Sequence, residues 1–279
     1  MSREVTAQAD RIFAAAACDG SWLVADLDSD AMVGQREHEA QVAASTFKVF
    51  VALELCLQAG GRPADSGVYE QAKRMMAVSD NLSTDALIAK VGLDRINGRL
   101  QALGLSDSMV TGDVKFVTDL LAVDLGFSTY EELLRAQRGE FGNEARVRAT
   151  DRTAIARSRA VALEHTITSS PRDMVRLLRL VWRDRVAPAA ACAALRELMS
   201  HQRSERIGSK LPAEYRVWAK SGTLFGVALN EVGVVGTPSG RELAVAMFTR
   251  MHRPFEHQDR AAAAIGEVTA LAIAHLLAN

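Results

Sequence analysis

Three short segments hold residue types that could together form and break an acyl ester. The first, Ser45-Thr46-Phe47-Lys48, sets a hydroxyl and an amine three residues apart. On a helix that spacing stacks both side chains on one face, one turn apart. A serine hydroxyl is a poor nucleophile until a neighbour takes its proton. Lysine takes it only where burial or nearby cations have lowered its pKa. A serine at a helix start also sits beside free backbone N–H groups and the positive dipole end, which favour a developing oxyanion. Alone the pattern is weak, since average composition yields one Ser-x-x-Lys in a chain of about this length.

The second segment is Ser79-Asp80-Asn81. Read locally, it is a cluster of helix N-cap residues. Read chemically, Ser79 offers a hydroxyl that passes a proton towards a leaving group. Asn81 offers an amide that binds a substrate carbonyl or steadies Lys48. The third is Lys220-Ser221-Gly222-Thr223, expected at the end of a strand. Gly222 lets a ligand approach the backbone closely. Lys220 adds positive charge that lowers the pKa of its neighbours and attracts an anionic substrate. The Thr223 N–H would pair with that of Ser45 as an oxyanion hole. All three segments coincide in one chain by chance at about the one-in-a-thousand level or less.

The elements that must position these residues follow from periodicity. Residues 3–17 read as a helix and 21–27 as a strand, with a weaker strand near 31–33. Residues 46–58 read as a strongly apolar helix ended by Gly60-Gly61. From 68 to 200 the pattern is almost entirely helical, with 129–138 the clearest piece of its later half. Strands return at 215–220, 227–235 and 242–249, and 258–278 form a closing helix. Strands at both ends with helices between them predict an α/β (α+β) fold. One antiparallel sheet, built from both termini and flanked by the terminal helices, would carry an all-helical lobe. The lobes would be residues 1–45 with 205–279, and 46–204, with the site in the groove between them.

In this order the three motifs resemble those of the class A β-lactamases and penicillin-binding proteins. Other pieces match as well. Residues 81–90 are similar to that family's helix after Ser-Asp-Asn. Ser169-Ser170-Pro171 is similar to its Thr-Pro helix start, and 230–249 to its last hairpin. The resemblance spans residues 20–275. It implies a β-lactamase/transpeptidase-like fold with Ser45 as nucleophile, Lys48 as activating base and Ser79 as proton relay. Asn81, Lys220, Ser221 and Thr223 would bind substrate. No cofactor or metal is implied.

Two departures limit what the resemblance implies. Class A enzymes activate the deacylating water with a glutamate before the Thr-Pro helix, and this chain lacks a Glu-x-x-Leu-Asn pattern. Asp151 and Glu164 are the nearest acidic residues, and each reads as a solvated charge. The strand after Lys220 also lacks the arginine with which many members grip a carboxylate. The expectation is a serine hydrolase that forms an acyl-enzyme on an amide or ester, with weak or absent penicillin hydrolysis. The alternative is an acyltransferase in small-molecule biosynthesis, in which an amine intercepts the acyl-enzyme. A non-catalytic binding protein with a relic site is the third reading, and the intact Ser45, Lys48, Ser79 and Lys220 argue against it.

Composition agrees with a small-molecule enzyme. The 279 residues are 48% hydrophobic, and the formal net charge of -1 gives no basic field for nucleic acid. Cys18, Cys56 and Cys192 are scattered and lack metal-ligand spacing, so they read as reduced, buried thiols. The run before Cys18 is faintly like a lipoprotein signal. Glu4 and Asp10 and its short apolar length favour an amphipathic helix instead. No stretch reads as a membrane span, and a cytoplasmic location is expected.

Overall fold

Side chains on successive strand residues point to opposite faces, so a strand covered on both sides feeds two cores. That is the organising feature here. The computed structural model describes residues 2–186, 188–203 and 205–278. The N-terminal part runs α1 (Ser2–Ala15), β1 (Cys18–Asp26), β2 (Met32–Gln35) and β3 (Gln41–Val42), then a 3₁₀ turn at Ala44–Phe47. The helices α2 (Lys48–Gln58), α3 (Ser66–Ala77), α4 (Asn81–Val91), α5 (Leu93–Ala102) and α6 (Val114–Asp124) follow. Next come α7 (Tyr130–Gln137), α8 (Asn143–Ala149), α9 (Arg152–Arg157) and β4 (Thr168–Ser169). The chain closes with α10 (Pro171–Trp182), α11 (Ala189–Ser200), β5 (Arg216–Leu224), β6 (Ala228–Gly236), β7 (Glu242–Met251) and α12 (Gln258–Leu277).

The main sheet has the order β2-β1-β7-β6-β5. Every neighbouring pair is antiparallel. Pairing of β1 with β7, from Cys18 opposite Met251 to Asp26 opposite Leu243, joins the two ends of the chain. Along β7, Ala244, Ala246 and Phe248 enter the core shared with the central helices. The alternate residues Leu243, Val245 and Met247 enter a second core under α1 and α12. The same switch occurs in β1, where Leu23 and Ala25 face one way and Trp22 and Val24 the other.

By length and composition α12 is apolar enough to cross a membrane, which the sequence reading did not register. In the fold it lies along the sheet and against α1. Ala261, Ile265, Val268, Ala272 and Leu276 form its buried stripe. That spacing is the signature of a helix with one covered face. Cys18 is the first residue of β1, buried, and burial pushes its thiol up to about 12. All three cysteines are free and buried.

On the opposite face α10 packs on β7 and β1, and α11 packs on β5 and α2. Pro171 opens α10, and the Ser170 hydroxyl accepts the Asp173 N–H there. This face carries the 3₁₀ turn and the site.

Two boundaries differ from the sequence expectation, and both matter for the site. The apolar helix expected from residue 46 is a 3₁₀ turn through Phe47, and the α-helix starts only at Lys48. The strand expected over 215–220 ends four residues later and contains the whole third motif. Strand β5 continues through Lys220, Ser221, Gly222 and Thr223 to Leu224, in register with β6. Glycine reads locally as punctuation, but Gly222 serves a close approach of strand to turn.

Candidate active site

The nucleophile turn is held from below and from the side. The Lys48 N–H reaches back to the carbonyls of Ser45 and Thr46, closing a 3₁₀ turn. Residues i and i+3 eclipse in such a turn, so Lys48 lies directly beneath Ser45. The Asn230 amide donates to the carbonyls of Val42 (2.8 Å) and Ala43 (3.2 Å), and its oxygen accepts the Thr249 N–H. A fully buried side chain on β6 therefore ties the turn to the sheet. From the side, β5 presses directly on the turn. A Cβ at position 222 would lie 2.9 Å from the Ser45 nitrogen and 3.0 Å from that of Thr46. Only glycine lets the strand approach this closely. The approach brings Ser221 and Thr223 beside a half-buried Ser45.

Lys48 is fully buried, and its Nζ is enclosed by the second motif. It donates to the Ser79 carbonyl (2.7 Å), the Ser79 hydroxyl (3.1 Å) and the Asn81 Oδ1 (2.8 Å). All three acceptors are neutral. Ser79 takes a left-handed backbone with φ of 59°. A residue with a Cβ adopts that conformation at a cost of about 1–3 kcal/mol. Both readings of Ser-Asp-Asn hold at once. Asp80 is the N-cap of α4, accepting the Ser83 N–H, while the residues on either side of it serve Lys48. Burial lowers the Lys48 pKa to about 8, against the raising influence of Asp85 and Asp80.

Lys220, on β5, is also fully buried. Its Nζ donates to Gln202 Oε1 (2.6 Å) and to the Ser221 carbonyl (3.0 Å). Gln202 Oε1 also accepts the Ser221 N–H, which therefore points away from β6. Strand alternation puts the Thr223 N–H on that same outer edge, towards the turn. Burial, then the repulsion of Lys48, lowers the Lys220 pKa to about 7, and Glu231 opposes the shift. The Lys48 charge thus favours the neutral amine of Lys220. The structure thus brings Ser45, Lys48, Ser79, Asn81, Lys220, Ser221 and Thr223 to one groove.

Sequence reasoning missed three polar members of this groove. Gln202 and Asn230 carry no motif. Arg206 supplies a cation that the strand after Lys220 lacks. It comes from the segment before β5 and donates to the Gly222 carbonyl (2.8 Å) and the Thr223 hydroxyl (2.6 Å). Glu231 Oε2 accepts the backbone N–H groups of Arg206 (3.1 Å) and Ile207 (2.6 Å) and so fixes this segment. A cation reaching β5 from a distant segment has no local signature in the sequence.

The wall facing Ser45 is α6. Asp85 on α4 accepts the N–H groups of Val114 (2.7 Å) and Lys115 (3.2 Å), docking the start of α6 on α4. The preceding loop is fixed by Asn97, which exchanges two hydrogen bonds with Val110. Val114, Val117, Thr118 and Leu121 then line a cavity of about 400 Å³ that also contains Ser45, Asn81 and Thr223. Among the described residues, no Asp or Glu lines this cavity. Asp151 is the N-cap of α9, Glu164 is exposed, and neither reaches the cavity.

A family model described as the beta-lactamase enzyme family matches residues 4–66 and 66–276. No curated protein matches by sequence. Solved structures share the fold over nearly the whole length. A mutant of PBP-A, described as an acyl-enzyme complex with penicillin G, is 15% identical with a TM-score of 0.73. The match covers 99% of this chain and 97% of that one. The β-lactamase from Sphaerobacter thermophilus is 20% identical, with a TM-score of 0.70 and the same coverage. The β-lactamase from Streptosporangium roseum is 16% identical, with a TM-score of 0.74 and 98% of each chain covered.

Proposed function

Since this chain belongs to the beta-lactamase enzyme family and is a serine hydrolase of that type, we propose that it forms an acyl-enzyme through Ser45 on an amide or ester substrate. The observation that carries the reading is the buried Lys48 with only neutral hydrogen-bond partners and a pKa near 8. A lysine tied to a carboxylate would stay an ammonium. This one loses its proton close to neutral pH, as a base for Ser45 must.

The proton and electron balance is simple. Lys48 takes the Ser45 hydroxyl proton while Oγ bonds to the acyl carbon. Negative charge collects on the carbonyl oxygen, where the N–H groups of Ser45 and Thr223 receive it. The proton passes from Lys48 to Ser79, 3.1 Å away, and on to the departing amine or alcohol as its bond to carbon breaks. Asn81 orients the substrate carbonyl, and Lys220 and Ser221 hold a polar or anionic group on the opposite side. Arg206, bonded to the Thr223 hydroxyl, adds positive charge to that side.

A second reading is favoured by one observation: among the described residues, no carboxylate lines the cavity. Water entering from the cavity side then has no carboxylate to activate it, so penicillin hydrolysis is weak. An amine, which is intrinsically more nucleophilic than water, takes the acyl group instead, and the enzyme acts as an acyltransferase. Intact mass spectrometry after exposure to penicillin G or an activated ester tests both readings. The wild type carries one covalent adduct and Ser45→Ala none. Decay of the adduct within seconds without an amine would exclude transfer as the main route. Absence of an adduct with every donor would reduce the protein to a binding module.

A further inference from the structure

We propose that the cavity beside Ser45 is an acyl-binding pocket for an uncharged, apolar acyl group, a medium-length alkyl chain or an aryl group. This rests on the reading that Ser45 is acylated and adds the class of acyl donor.

The two sides of Ser45 differ in chemistry. Lys48, Ser79, Lys220 and Ser221 are absent from the lining of the cavity, while Ser45, Asn81 and Thr223 are part of it. Ser45 therefore sits on the boundary between a cationic groove and a half-open pocket. Among the described residues, the lining carries no Asp, Glu, Lys, Arg or His. Its polar members, such as Gln137 and Thr166, are all neutral. A charged acyl chain would lose its hydration there without gaining a counter-ion, which is strongly unfavourable.

The apolar surface is arranged rather than scattered. Val114, Val117 and Leu121 recur at helical spacing, so one stripe of α6 both packs on the central core and lines the cavity. Tyr130 and Phe225 pack against each other at the far wall, ring centroids 6.3 Å apart and tilted by 52°. Phe225 holds that position from a left-handed backbone, φ 45°, in the turn between β5 and β6. Thus the hairpin carrying the third motif also contributes an aromatic wall. A volume of about 400 Å³ holds roughly 13 non-hydrogen atoms at the ~30 Å³ each occupies in liquid water. An octanoyl group, with nine non-hydrogen atoms, fills about two-thirds of that space at the same ~30 Å³ per atom, and an aryl-acyl group a similar share, whereas an acetyl or alanyl group leaves most of it empty.

The chemical step is the one given above. Ser45 Oγ bonds to the acyl carbon, the bond from that carbon to the leaving oxygen breaks, and the hydroxyl proton ends on the departing alcohol. Here it is tested with the 4-nitrophenyl esters of acetate, butyrate, hexanoate, octanoate, decanoate, dodecanoate and succinate, all below their solubility limits. Nitrophenolate release gives the acylation rate constant, and intact mass locates the adduct on Ser45 by its loss in Ser45→Ala. The second-order constant is expected to rise by about fourfold per methylene, from the ~0.8 kcal/mol gained on burying each one. The rise should stop near eight carbons, and the succinyl ester should react at least tenfold more slowly than butyrate. In Val114→Phe, at a half-buried position on the pocket wall, the octanoate-to-acetate ratio should fall at least tenfold. Phe225→Ala provides an independent variant that shifts the optimum to longer chains. A ratio near one in the wild type, with Ser45 acylated by every ester, would overturn the pocket assignment and leave the Ser45 reading standing. No adduct with any ester would remove the Ser45 reading and this inference with it.

Discussion

Replacing Asn81 with aspartate preserves the shape of the side chain and adds one negative charge, 2.8 Å from the Lys48 Nζ. With a pKa of about 8, about a quarter of Lys48 is neutral at pH 7.5, against roughly one part in a thousand for an unperturbed lysine. An opposite charge in contact raises a lysine pKa by roughly 1–3 units. The neutral fraction at pH 7.5 then falls by roughly tenfold to nearly a thousandfold, and acylation falls in proportion. The sign is fixed by the mechanism. The rate follows the deprotonated amine, so the ascending limb of the pH–rate profile moves to higher pH by the same 1–3 units. Single-turnover release of nitrophenolate between pH 6 and 10.5 reads the midpoint directly. The variant also loses the amide donor to the substrate carbonyl, which lowers the plateau by up to about 10², and the midpoint separates this from the charge effect. Asn81→Ala removes an acceptor without adding charge, so its midpoint should not rise. An unchanged midpoint near 8 in Asn81→Asp would refute Lys48 as the base.

Two other perturbations test the supports of the site. Gly222→Ala pushes a methyl to within 2.9 Å of the Ser45 nitrogen, so it should destabilise by about 1–3 kcal/mol. It should also slow acylation by about 10²–10³ as strand and turn separate, and a wild-type rate would show that the close approach is dispensable. The buried Asp26 carboxylate is pushed up by burial. The Arg241 guanidinium (2.7 and 2.9 Å), the Asp28 N–H and the Ser29 side chain outweigh this and hold its pKa below the usual value. Asp26→Asn should cost about 2–3 kcal/mol and lower Tm by roughly 5–10 °C at neutral pH. The native carboxylate stabilises the fold above about pH 4 and loses that contribution as pH falls through its lowered pKa. The gap between wild type and variant should therefore narrow in acid, and a gap that stays constant from pH 7 to 3 would refute the pairing.

What the sequence determined by itself is the set of reacting groups and the general architecture. Ser45 and Lys48 are one turn apart, and Asp80 caps the helix that follows it, because these relations are local. The contacts of Ser79 and Asn81 with Lys48 span more than 30 residues and are legible only through the resemblance of the three motifs. Period-two apolar strands at both chain ends, with a helical block between them, leave few options other than one sheet joining the termini. The tertiary structure decided the rest. Gly222 reads as room for a ligand until β5 is seen pressing on the Ser45 turn. Asn230, Gln202 and Arg206 are ordinary residues until the sheet and the segment before β5 place them against the Ser45 turn, Lys220 and Thr223. The stripe at Val114, Val117 and Leu121 is that of any amphipathic helix, and periodicity does not tell a packed core from an open cavity. Docking of α6 on Asp85 turns that stripe towards Ser45, and contacts between residues far apart in the chain leave no pattern in the sequence.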